Sequence, residues 1–173
     1  MKITPPSSLD FGFYNGYVSN ATHTDLITAL NDSWEDVYNT VSTLSDEQLE
    51  SRYEAGKWSI KEVIAHLVDA ERTFCIRIQR FSRKDQAPLP PIDMHAFVAN
   101  ANANNRDIKD ILHELHLLRQ ASILMFKGMD ETMLELTGPA RDITISVRAL
   151  GFAMAGHNTH HIQIIKERYL QLV

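Results

Sequence analysis

The sequence predicts an all-α protein, a four-helix bundle with a long crossover between its second and third helices. Four long segments repeat apolar residues with the 3.6-residue period of an amphipathic helix. No segment is a persuasive strand, because the alternation over residues 143–147 is short and leads straight into the last helix. The connection between the second and third segments is too long for a tight hairpin turn. These observations together predict the bundle.

The first two helices are defined by their apolar faces and by one capping motif. The first helix is predicted over about residues 24–44. The second begins at Ser59, because Ser59 and Glu62 have the spacing of a capping box, in which each side chain bonds the other residue's backbone amide. The core positions of the second helix are Val63, Leu67, Ala70, Phe74, Ile78 and Phe81.

The third helix is predicted over about residues 106–127, and Gly128 is a suitable residue to end it. The fourth begins near Ser146 and continues almost to the C-terminus. Similar acidic segments follow the first and third helices, and each leads to a histidine-bearing helix. This likeness favours two helical hairpins packed against each other.

The crossover contains Pro88, Pro90 and Pro91, which forbid a regular helix there. The Ala- and Asn-rich stretch that follows is predicted to be a short helix or an ordered loop. Long connections in compact domains are often functional.

The length and composition predict one globular domain over residues 1–173, in which residues 1–22 form an N-terminal arm. A net charge of −5 excludes the basic footprint of a nucleic-acid-binding protein. No apolar run is long enough to cross a membrane, and the N-terminus does not resemble a secretory signal. Cys75 is the single cysteine, so no intramolecular disulfide exists. A cytoplasmic protein is therefore expected.

The stretch GHNTHHIQII places histidines in an apolar helical seam. His157 and His161 lie one turn apart on the inward face, with Cβ atoms about 5–6 Å from each other, a suitable distance for two imidazole ligands of one metal ion. His160 lies about 100° around the helix from His161, so it is interpreted as a flanking residue. His66, in an apolar part of the second helix, is the candidate third ligand. A structural polar network is the alternative interpretation.

Other reactive side chains are assigned structural roles. His113 and His116 are three residues apart, which is not the spacing of the zinc-binding H-E-x-x-H motif, and a packing role is favoured for both. Cys75 lies in no recognisable nucleophile motif, so a buried inert thiol is expected.

The segments WSIKEVIAHLVDAE and GHNTHHIQI together resemble the DinB superfamily, in particular its YfiT-like branch. The resemblance extends over most of the chain and includes the early aromatic segment FYNGYV. It implies a four-helix bundle with one divalent metal ion, zinc or nickel, on three histidines. By position these are His66, His157 and His161, the residues that helical geometry also selects.

Three alternative functions follow, of which the resemblance implies the first two and the lack of a clear general base favours the third. The first is a thiol S-transferase, which joins a low-molecular-weight thiol cosubstrate to an electrophile. The second is a metal-dependent hydrolase using a metal-bound hydroxide. The third is a non-catalytic metal-binding or stress-associated bundle. A hydrolase benefits from a carboxylate base. Asp69 and Glu62 lie one turn either side of His66, and Asp69 is preferred because Glu62 is engaged by its cap. Asp69 is expected to act as the base or to orient an imidazole, and a surface salt bridge is its alternative role.

A small-molecule substrate and a homodimer are the expected partners. The N-terminal arm carries Phe11, Phe13, Tyr14 and Tyr17. It either folds over its own active-site mouth or contacts a second chain. The resemblance favours association with two-fold symmetry.

Overall fold

The structure is a computed structural model that describes residues 2–7, 11–85, 87, 89–140 and 143–172. It is mostly helical, as the sequence predicts. In chain order the helices are α1 (Asn15–Asn20), α2 (Leu26–Val41), α3 (Asp46–Glu50), α4 (Ile60–Ser82), α5 (Met94–Asn100), α6 (Ile108–Lys127), α7 (Glu131–Leu134) and α8 (Val147–Ile164). A 3₁₀ turn at Gly12–Tyr14 precedes α1, a second lies at Ala103–Asn105, and α8 continues into a π-helical turn at Ile165–Tyr169 and a 3₁₀ turn at Leu170–Leu172. None of the described helices combines the length and hydrophobicity needed to cross a membrane.

The predicted start of α4 is confirmed by a complete capping box. The amide of Glu62 donates to Ser59 Oγ over 3.1 Å, and the amide of Ser59 donates to Glu62 Oε2 over 2.8 Å. Arg52 and Asn104 also donate to the Glu62 carboxylate. The cap therefore joins the beginning of α4 to the crossover that returns beside it.

Helices α2, α4, α6 and α8 form the four-helix bundle, but the predicted pair of helical hairpins is wrong. Helix α2 packs against α6 and α8, and α4 packs against the same two helices. Helix α2 therefore lies diagonally opposite α4, and α6 lies diagonally opposite α8, whereas α4 and α6 are neighbours. Each diagonal pair is joined by a connection that contains further elements, α3 between α2 and α4, and α7 with a β-hairpin between α6 and α8.

The long crossover between α4 and α6 contains the short helix α5, which confirms the helical alternative for part of the Ala- and Asn-rich stretch. Asp93 caps α5 by accepting from the amides of His95 and Ala96. Pro88 lies outside the described residues. The crossover packs α5 against α4 and so closes one side of the bundle.

Strands β1 (Thr137–Ala140) and β2 (Ile143–Ser146) pair antiparallel, so the expectation that the chain has no strand is wrong. Each strand has only four residues, and β1 contains Gly138 and Pro139, which are rare in strands. Gly138 is required because a Cβ at this position would overlap the ring of Phe81. The hairpin is thus fixed by packing on α4, which the local sequence does not reveal.

The bundle core consists of two apolar clusters separated by a polar layer. One cluster contains Leu30, Phe74, Ile78, Phe126, Leu150 and Phe152, and the other contains Val37, Ile64, Leu67, Leu115, Ile162 and Ile165. Between them, each of the four helices contributes buried polar side chains, namely Ser33, His66, Glu71, Arg119, Ser122, His157 and Asn158.

The centre of this layer is a buried ion pair. Arg119 Nε and Nη2 donate to the two carboxylate oxygens of Glu71, each over 2.9 Å, and Nη1 donates to the Leu30 carbonyl and Ser33 Oγ. Ser122 Oγ donates to Glu71 Oε1 over 2.7 Å. The layer therefore joins α2, α4 and α6 through one guanidinium group.

Candidate metal centre

Helices α4 and α8 bring the three predicted histidine ligands together. The Nε2 atom of His157 lies 3.3 Å from Nε2 of His66 and 3.2 Å from Nε2 of His161. One ring nitrogen from each residue lies within 4.8 Å of the others. His66 and His157 are each only 6% exposed. The side chains thus form a compact, buried cluster of imidazoles.

The spacing of these nitrogens fits a divalent ion in tetrahedral coordination. Zinc–nitrogen bonds of about 2.0–2.1 Å at a tetrahedral angle place two ligand nitrogens about 3.3 Å apart. The two separations that involve His157 Nε2, 3.2 and 3.3 Å, agree with this value. When only three imidazoles bind the ion, the fourth tetrahedral position stays open for another ligand, such as a water molecule or a substrate. The donor set therefore fits a catalytic type of metal site.

Burial keeps the imidazoles neutral, which is the form that binds a metal ion. Burial and the neighbouring His95 lower the pKa of His66 to about 4. Burial is the main cause that lowers the pKa of His161 to about 3, and the neighbouring His66 and His160 lower it further. The pKa of His157 is also well below its ordinary value, chiefly because of burial. At neutral pH all three side chains have a lone pair available for a ligand bond.

Aromatic residues surround the imidazole rings. The ring of Trp58 lies 5.0 Å from that of His66, and the ring of Tyr17 lies 4.9 Å from that of His157. The Tyr169 hydroxyl donates to the Trp58 carbonyl over 2.7 Å, which fixes the backbone at this point. These contacts position two of the three candidate ligands.

The cluster opens into a cavity of about 580 Å³ between the N-terminal arm, α4, the crossover and α8. The lining is Phe13, Tyr14, Tyr17, Trp58, His66, Ala70, Thr73, Phe74, Arg77, Pro91, Ile92, Met94, His95, His157 and His161. Most of this surface is apolar or aromatic, and no described lining residue carries a carboxylate. The cavity is large enough for a small organic molecule.

The structure places the two candidate carboxylates away from this lining. Asp69 Oδ1 lies 3.5 Å from Arg72 Nη1, and burial raises the pKa of Asp69 despite the opposing charge of Arg72. Glu62 is held in the cap of α4. Burial alone would raise the Glu62 pKa, but hydrogen bonds from Arg52 and the Ser59 amide lower it below its usual value. The role of Asp69 as a base stays a prediction.

The remaining histidines and the cysteine lie outside the cluster. His160 contacts Tyr17, with ring centroids 5.5 Å apart. His113 and His116 line a different groove beside Trp34. Burial raises the pKa of the Cys75 thiol to about 11, and its Sγ lies 3.1 Å from Ser122 Oγ. The Cys75 environment is therefore that of an unreactive thiol.

Several residues of the cavity were not identified from the sequence. Arg77 follows His66 and Ala70 on one face of α4, so its helical spacing is a usable signal. His95 reaches the cavity from α5, and its ring lies 5.5 Å from that of Trp58. Its position depends on the path of the crossover, for which the sequence gives no spacing rule.

The N-terminal arm folds onto its own bundle. Phe11 and Tyr14 are buried, and Phe13, Tyr14 and Tyr17 line the cavity. The arm therefore lines its own site, in line with the first of the two predicted alternatives, and its contact with a second chain stays a prediction.

The chain is similar in sequence to several known proteins. A family model described as the DinB superfamily matches residues 29–165. A relative from Oceanobacillus iheyensis is 25% identical over 150 residues, covering 86% of this chain and 87% of its own. YfiT from Bacillus subtilis is 27% identical over 136 residues, covering 73% and 72%. The names of both relatives propose a metal-dependent hydrolase.

A solved structure of Bacillus subtilis YfiT has the same fold. It superimposes with a TM-score of 0.79 at 18% identity and covers 99% of this chain and 94% of its own. Its description proposes a metal-dependent hydrolase and notes an unusual four-helix bundle topology.

Proposed function

The chain belongs to the DinB superfamily, and on that premise we propose that it is an enzyme dependent on one divalent ion, zinc or nickel, held by His66, His157 and His161. The observation that carries the proposal is the convergence of three neutral imidazoles, with ligand nitrogens within 4.8 Å of one another, on the wall of a small-molecule cavity. A divalent ion bound there would lower the pKa of a water or thiol at its open position.

We propose thiol S-transfer as the reaction. In this reaction the thiolate sulfur forms a bond to an electrophilic carbon, the leaving group departs with its electron pair, and the thiol proton passes to solvent. The reaction needs no carboxylate base once the thiol is ionised. This requirement agrees with a lining in which no described residue carries a carboxylate. The aromatic walls would exclude water, which competes with the thiolate as a nucleophile.

Hydrolysis is the second candidate, supported by the names of the relatives. Because Asp69 lies outside the cavity lining, a hydrolase could use its carboxylate as the proton acceptor only through a bridging water or a turn of the side chain; burial raises the Asp69 pKa. If hydrolysis is the reaction, Asp69→Asn should lower kcat and alter its pH profile without changing metal content. Glu114→Gln, which removes another carboxylate beside Arg72, is the matched control.

Turnover assays distinguish the two reactions. The protein loaded with zinc or nickel is mixed with a panel of low-molecular-weight thiols and 1-chloro-2,4-dinitrobenzene, and separately with chromogenic esters. Product formation that requires both metal and thiol supports transfer. Thiol-independent ester cleavage supports hydrolysis. If neither reaction occurs and azide leaves the spectrum of the cobalt-loaded protein unchanged, the metal has a structural role and the proposal of an enzyme fails.

We also propose a homodimer that uses the outer face of α6. Leu117 and Leu124 lie two turns apart on this face and are 56% and 69% exposed. Exposed Ala121 lies between them. Such an apolar stripe favours contact with an identical stripe around a two-fold axis. Sedimentation should give a dimer for the wild-type chain and a 19.7 kDa monomer for the double variant Leu117→Gln and Leu124→Gln. A wild-type monomer at all concentrations would contradict the proposal.

A further inference from the structure

Arg77 lies on the wall of the cavity with part of its guanidinium group unpartnered. Its Nη1 donates to the hydroxyl oxygen of Tyr14 over 2.7 Å. Its Nε is buried and has no hydrogen-bond partner. Within the described part of the chain, no carboxylate forms an ion pair with Arg77. Because a buried donor without an acceptor is costly, this position requires an explanation.

Arg119 of the same protein shows what a guanidinium group in this arrangement binds. Its Nη1 is occupied by oxygens of α2, and its Nε and Nη2 form a two-bond contact with the Glu71 carboxylate. This is the geometry in which an arginine recognises a carboxylate most strongly. Arg77 likewise has Nη1 occupied, by Tyr14, but the described residues supply no carboxylate for it, and because Nε is shielded from solvent a two-bond contact with a ligand requires the side chain to turn.

The cavity favours a ligand with a negative charge. Arg77 is the permanent cation of the described lining, and no carboxylate among those residues opposes it. The rings of Phe13, Phe74 and Trp58 supply an apolar surface. An aromatic or aliphatic acid therefore matches both parts of the wall. The Tyr14 hydroxyl accepts from Arg77 and still has a proton to donate to the same acid.

The distance between the Arg77 charge and the candidate metal centre follows from the positions of Arg77 and His66 on α4. They are separated by three turns on the face of α4 that also carries Ala70 and Phe74, a rise of about 16 Å between their backbones. A long arginine side chain shortens the distance that a ligand must span. A molecule lying along α4 can thus contact Arg77 at one end and approach the histidines with the other.

We propose that Arg77 binds the carboxylate of an elongated organic acid with an apolar or aromatic body. The binding subsite stands on the contacts of Arg77 alone. The further statement that this acid is a reactant at the histidine cluster rests on the proposed function.

Binding to the metal-free protein tests the subsite without interference from a carboxylate bound to the ion. The probes are 4-phenylbutyrate and its neutral analogue 4-phenylbutanamide, measured by calorimetry. We expect the wild-type chain to bind the acid at least about tenfold more tightly than the amide, as a hydrogen-bonded charge pair predicts. Arg77→Gln should remove this preference. Arg83→Gln, which neutralises an exposed arginine outside the lining, should retain it.

A second variant controls for misfolding. Arg77→Lys keeps the charge but loses the two-donor edge, so its preference for the acid should be several-fold weaker than that of the wild type. Thermal unfolding verifies that each variant is folded. Equal binding of acid and amide by the wild type, or a preference that survives Arg77→Gln, would overturn the subsite. Acid binding without any metal-dependent turnover would instead leave the subsite intact and reject the proposed function.

Discussion

The backbone of Tyr17 lies directly against Gly156, so closely that a Cβ at position 156 would overlap the Tyr17 carbonyl oxygen. Helix α1 therefore rests on α8 without an intervening side chain. This contact places the Tyr17 ring against His157, the residue that follows Gly156. The glycine of the GHNTHH motif thus permits the close approach of the arm to the histidine cluster.

Gly156→Ala should lower the free energy of unfolding by about 1–3 kcal/mol, because the added methyl group forces α1 away from α8. Urea denaturation measures the change, and weaker metal binding should accompany it. Gly16→Ala is the control, since a Cβ at Gly16 has no neighbour within 4 Å. A variant at position 156 as stable as the wild type would contradict the close contact.

His157→Ala should reduce bound metal from about one ion per chain to a small fraction of that, because two imidazoles hold a divalent ion weakly. Elemental analysis of protein purified without chelators measures the ratio. His160→Ala should keep the metal, since His160 contacts Tyr17 and lies outside the cluster. Equal loss in both variants would reject the proposed ligand set.

The metal-free protein should lose stability as pH falls from about 7 to about 5. Unfolded histidines have a pKa near 6.5, whereas the pKa of His66 is about 4 and that of His161 about 3 in the folded chain. The unfolded state therefore binds more protons within this interval, and acidification favours it. Above the unfolded pKa the contribution is fully present. The urea midpoint at each pH measures the effect, and His161→Gln should make its pH dependence shallower.

Glu71→Gln should destabilise the protein by about 3–5 kcal/mol, because it leaves the Arg119 charge buried without its counter-ion. Glu114→Gln removes a carboxylate from a solvent-exposed network with Arg72 and Arg106 and should cost no more than about 1 kcal/mol. Chemical denaturation of both variants measures the difference. Similar values for the two would show that the buried pair is not a stability determinant.

The helices and the histidine cluster are predictable because their signals are local and periodic. The capping box of Ser59 and Glu62 predicts the start of α4 from four consecutive residues. The spacing of His157 and His161 places both on one face of α8. His66 can be added because it lies in an apolar segment. The resemblance to a known family selects the same three residues.

The arrangement of the helices is not predictable in this way. The diagonal packing of α2 and α4 depends on connections whose paths are determined by tertiary contacts. The β-hairpin requires Gly138 to meet Phe81, two residues far apart in the sequence. His95 joins the cavity for the same reason, since the crossover completes the cavity only after the bundle has formed, whereas the spacing of Arg77 from His66 along α4 is visible in the sequence.

The polar layer between the two apolar clusters also determines how the helices align along the bundle axis. Apolar side chains of similar shape tolerate a shift of one helical turn, about 5.4 Å, because leucine can pack on another leucine. The same shift would separate Arg119 from Glu71 and His66 from His157. The layer therefore fixes the axial register of the helices, because the ion pair and the histidine cluster both form in the same single alignment.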